Sequence, residues 1–70
     1  MSVNVKFFKD DGQPLPIETL SMPVEDLSKY MAVGDEMKLL DGNHYRVYRK
    51  VFNQITPAGQ YEVFFYFQFA

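Results

Sequence analysis

Cysteine is absent from this chain of 70 residues, and histidine occurs once, at His44. The first absence removes disulfides and thiolate metal sites, and the second removes imidazole clusters. Basic residues are not in excess: seven Lys and Arg stand against nine Asp and Glu, for a net charge of −2. No overall field therefore draws the protein onto nucleic acid or an anionic membrane. The N-terminus, Met-Ser-Val-Asn-Val-Lys-Phe-Phe-Lys, has no continuous apolar core of the signal-peptide kind. The longest uncharged apolar run lies at the other end and is far too short to span a bilayer, so a soluble, cytosolic protein is expected. No glycine-rich phosphate loop is present, because Gly12, Gly34, Gly42 and Gly59 are each isolated turn residues. Repeats, linkers and low-complexity tracts are missing too, which predicts one domain over residues 1–70.

What the chain does have is aromatic surface, seven Phe and five Tyr. A domain of this size buries only about 60% of the surface its unfolded chain exposes. Its reinforcement must then come from dense aromatic packing or from association. The aromatics are concentrated in Tyr61 to Ala70, read as a strand. Tyr61, Val63, Phe65, Phe67 and Phe69 share one face, and Glu62, Phe64, Tyr66 and Gln68 share the other. A strand wet on one side would not carry Phe64 and Tyr66 there. It is expected to be central, covered by a helix, or part of a binding surface.

Along the chain, Val3, Val5 and Phe7 alternate with Asn4, Lys6 and Phe8 as in a half-buried strand, which stops at the Asp11-Gly12 turn signal. Two prolines, Pro14 and Pro16, leave at best an edge strand over Leu15 to Leu20. Leu20, Val24, Leu27 and Met31 then change the period to that of a helix. With Pro23 at its first position and acids in its first turn, a short helix over about 23–31 is predicted, lying against the sheet. Met37 to Leu40, the turn Asp41-Gly42-Asn43 and the return strand Tyr45 to Phe52 form a hairpin. Strict alternation on the return strand puts Tyr45, Val47, Arg49 and Val51 on one side and Arg46, Tyr48, Lys50 and Phe52 on the other. The fold class is α+β, mainly β: a four- to five-stranded antiparallel sheet or small barrel with one short helix.

At Ala32-Val33-Gly34-Asp35-Glu36-Met37-Lys38-Leu39, followed by Tyr45-Arg46-Val47-Tyr48 and a further β segment, the chain resembles the small SH3-like barrels of bacteria and phages. The resemblance covers residues 32–69. It implies a barrel-like fold and a habit of binding proteins or nucleic acids, and it assigns no functional residue.

Signals for catalysis are lacking. His44 follows a tight turn, where a solvated ring is the simple reading, and the pairs Asp10–Asp11, Glu25–Asp26 and Asp35–Glu36 are adjacent in sequence. Neighbours on a strand face opposite ways, and such acids more often build turns than catalytic dyads. Neither an enzyme nor a cofactor is expected. Two binding readings remain. The leading one is a non-enzymatic protein-binding module that docks through a sheet face or edge, with Phe64, Tyr66 and Tyr48 at the centre and Arg46 and Glu62 at the rim. A small accessory or inhibitor protein of phage or mobile-element type would fit it. Self-association through the aromatic strand is a variant, giving a homodimer. The other reading is single-stranded nucleic-acid binding through Arg46, Tyr48 and Lys50.

Overall fold

The computed structural model describes residues 2–70. The alternating N-terminal segment forms β1 (Ser2–Lys9), with Val3, Val5 and Phe7 buried. It ends at a turn in which the Asp11 carboxylate accepts the Gln13 backbone N–H at 2.9 Å. The next strand, β2 (Leu20–Pro23), lies later than the expected Leu15–Leu20. The proline-bearing stretch before it makes only an isolated bridge, Phe8 with Pro14, while Leu15 drops into the core. Pro23 ends this strand instead of opening a regular helix. A 3₁₀ turn over Val24–Asp26 follows, and the α-helix proper, α1, covers only Leu27–Tyr30. The predicted apolar stripe survives in part: Leu27 and Met31 are buried, whereas Val24 is exposed.

The hairpin forms as its turn chemistry predicts, from β3 (Glu36–Lys38) and β4 (His44–Gln54). Gly42 takes φ 90° in its turn, a conformation that costs an L-residue about 1–2 kcal/mol. Beside it, Asp41 accepts the Asn43 backbone N–H at 2.9 Å. The last strand, β5 (Tyr61–Phe69), completes a curled five-stranded sheet in the order β2-β1-β5-β4-β3. The aromatic strand is thus the central one. It pairs antiparallel with β4 and parallel with β1, so the sheet is mixed rather than purely antiparallel. Because β1 and β4 occupy both its edges, β5 is not open for edge pairing with a second copy.

Val63, Phe65 and Phe67 of β5 are fully buried on the first sheet face, with Val5, Phe7, Tyr45 and Val47 around them. Leu27 and Met31 of the helical segment and Leu15 of the preceding loop join this core, so the cover lies on that side. Phe7 stacks on Phe65 with ring centroids 6.1 Å apart. The half-barrel that results is compatible with the SH3-like resemblance. Among the described residues no helix is long and apolar enough to cross a membrane.

Candidate functional site

The uncovered second face of the sheet is built by register. The parallel pairing sets Lys6 opposite Phe64 and Phe8 opposite Tyr66, and β4 brings Val51 opposite Phe64. Paired residues share a face. Phe8, Phe64 and Tyr66 therefore meet: Phe8 meets Phe64 edge-on at 5.3 Å and stacks on Tyr66 at 5.6 Å, and Phe64 meets Tyr66 edge-on at 6.5 Å. All three rings stay half-buried. Each such aromatic pair contributes about 0.5–1.5 kcal/mol beyond area burial, so the three rings support one another without forming a second core.

The β4 strand departs from strict alternation. Val47 pairs with Phe67 and Arg49 with Tyr66, so one residue, Tyr48, is extra. This is a β-bulge, and it inverts the parity of everything after it. Arg49, Val51 and Asn53 stand on the second face, while Lys50, Phe52 and Gln54 stand on the first. The expected partition is corrected accordingly. Arg46 and Arg49 share a face, Tyr48 sits in the bulge, and Lys50 lies across the sheet from Arg46 with its ammonium 5.7 Å from the Phe52 ring centre. The set Arg46, Tyr48 and Lys50 is thereby dispersed.

Charges rim the aromatic cluster mostly as pairs. Lys6 meets Glu62 at 3.2 Å, and Glu62 also accepts the Asn53 side-chain amide at 3.0 Å. Arg46 meets Glu36 at 3.6 Å across the hairpin. Arg49 makes no ion pair among the described residues; its guanidinium carbon lies 5.3 Å from the Tyr66 ring centre, a cation–π contact. Of the expected protein-binding set, Phe64, Tyr66, Arg46 and Glu62 lie on this face, and Tyr48 is the bulge residue, 37% exposed. Phe8 and Arg49 were not in that set. Phe8 depends on the non-local parallel pairing, for which no local signal exists; Arg49 depends on the bulge.

The remaining candidates are turn and surface groups. His44 opens β4 and is exposed opposite Lys38. Asp35 accepts the Ala32 backbone N–H at 2.8 Å, as Asp11 and Asp41 do in their own turns. Among the described residues no group of three or more His, Asp or Glu could hold a metal ion. Burial raises the Tyr30 phenol above its ordinary value. Compared with known proteins, the chain matches no family model, no curated protein and no solved structure.

Proposed function

We propose that this chain is a non-enzymatic protein-binding module whose docking surface is the second sheet face, centred on Phe8, Phe64 and Tyr66. One observation carries the reading: a contiguous three-ring cluster is left half-exposed on a sheet face while the helix covers the other. Interface centres favour this composition: Tyr and Phe bring large contact area at low entropic cost, and Arg brings a planar cation that stacks on rings. Arg49 stacked on Tyr66 adds a cation already held in place. The rim charges at Lys6–Glu62 and Arg46–Glu36 are already neutralised, so covering them leaves no lone charge. A small cytosolic accessory or inhibitor protein of the phage type, with an SH3-like half-barrel, fits these features.

The test is affinity capture from host lysate with the parent, Tyr66→Ala, Phe64→Ala and the first-face control Phe52→Ala. Loss of the same captured protein in the first two, with folding intact by circular dichroism and capture retained by the control, is expected. Unchanged capture by the two face variants, or their outright unfolding, overturns the reading.

A second reading is favoured by the bulge, which gathers Arg46 and Arg49 with Lys6 around the stacked rings. That combination suits single-stranded nucleic acid. It is the weaker reading because two of the three cations are already paired, and salt-dependent affinity scales with the phosphates neutralised. Fluorescence anisotropy with a single-stranded oligonucleotide at low salt tests it; absence of binding by the parent ends it.

A further inference from the structure

The sheet has two free edges, β2 and β3. The first carries no charge in Leu20-Ser21-Met22-Pro23 and ends in a residue without an N–H. The second reads Glu36-Met37-Lys38 and differs in two respects. Its backbone parity is settled by the hairpin: the Leu39 N–H donates to the Asn43 carbonyl at 3.0 Å, and the Asp35 carbonyl accepts from the Val47 N–H at 2.9 Å. Odd-numbered residues therefore bond toward β4, and in an antiparallel ladder the residues between them direct N–H and C=O the other way. Glu36 and Lys38 hold the free hydrogen-bonding groups of this edge. The same two residues carry opposite charges.

We propose that two copies of this chain pair antiparallel through β3, about a two-fold axis through Met37 and the partner's Met37. That register sets Glu36 against the partner's Lys38 and Lys38 against the partner's Glu36. Both are hydrogen-bonded pairs, because both residues direct their backbone groups outward, and both are opposite-charge pairs on one sheet face. The strand is thus complementary to itself in charge and in hydrogen-bond phase at once. A shift by one residue breaks both. Met37 lies on the first face, where it packs against the core beside Leu39, at the lip of an apolar groove of about 610 Å³ that Ile17, Leu20 and the fully exposed Leu40 also line. The seam runs along this lip, so pairing covers apolar side chains that the single copy leaves to water. Paired residues share a face, so the second faces of the two copies lie on the same side of a continuous sheet.

Sedimentation across a micromolar-to-millimolar series tests the proposal, with the parent expected to move from monomer to dimer. Lys38→Glu replaces both attractive pairs by repulsive ones and is expected to raise the dissociation constant about tenfold or more. An equimolar mixture of Lys38→Glu and Glu36→Lys chains restores association as a heterodimer, and the doubly exchanged chain, which gives up the Glu36–Arg46 ion pair within each copy, still dimerises more tightly than Lys38→Glu alone. A parent that stays monomeric throughout, a dimer indifferent to Lys38→Glu, or a mixture of folded variants that fails to associate overturns the proposal. Amide exchange in the parent requires no variant: protection of Glu36 and Lys38 must rise with concentration, and constant protection refutes the pairing.

Discussion

The Arg49 guanidinium stands over the Tyr66 ring at 5.3 Å because Tyr48 is an unpaired extra residue in β4. With regular alternation from Val47, the next residue on the Val47 side would be Arg49, a cation turned toward the core side of the sheet. The bulge places it instead on the face of Phe8, Phe64 and Tyr66. A single inserted residue thus sets the charge of the candidate docking surface.

Deleting Tyr48 should be tolerated, at a cost of about 1–2 kcal/mol, because Val47 and Arg49 already face opposite ways and regular alternation would simply resume. Deleting Val51 from the same strand inverts the residues on one side of it and should abolish folding. Thermal unfolding of the two deletions, followed by circular dichroism, makes the comparison. Equal damage from both would mean that the strand is regular at Tyr48.

Neighbouring aromatics on β5 should respond differently to truncation. Phe65 is fully buried, and Phe65→Ala should cost about 3–5 kcal/mol, as much as a core of this size supplies in total. Phe64 is half-buried, and Phe64→Ala should cost about 1–2 kcal/mol and leave the chain folded. Chemical denaturation of both variants measures the difference.

Lys6 and Glu62 join the parallel strands β1 and β5 at 3.2 Å, with the lysine side chain 41% and the glutamate side chain 17% exposed. A double-mutant cycle with Lys6→Ala and Glu62→Ala should give a coupling of about 0.2–1 kcal/mol that shrinks as salt is raised. Because β1 and β5 are far apart in sequence, a measurable coupling also reports the parallel register itself.

At Gly42, φ is 90° and an added Cβ would meet nothing within 4 Å. Substitution there should carry backbone strain alone. Gly42→Ala is expected to cost about 1–2 kcal/mol, while D-alanine introduced by synthesis should cost nothing. Comparable losses from the two enantiomers would mean that the site lacks space rather than the left-handed conformation.

Local patterns were legible wherever one segment carried its own instruction. Alternation named β1 and β5, Asp41-Gly42 named the hairpin turn, and the row Val63, Phe65, Phe67 stood out as part of the wholly apolar face of the last strand, which the fold buries. Phe64 and Tyr66 were readable as the other face of the same strand. The helix was legible in position but not in form, since Pro23 closes β2 and the turn after it is 3₁₀.

By itself the sequence determined a small β-rich domain with an aromatic last strand, because side-chain alternation and turn chemistry act over a few residues. The tertiary structure alone decided which rings and which cations meet. The parallel pairing of β1 with β5 carries Phe8 to Phe64 and Tyr66 across more than fifty residues of chain. The bulge at Tyr48 carries Arg49 to the same place. Both are matters of strand register, which is set by whole-sheet burial against the core and leaves no mark in the residues beside it.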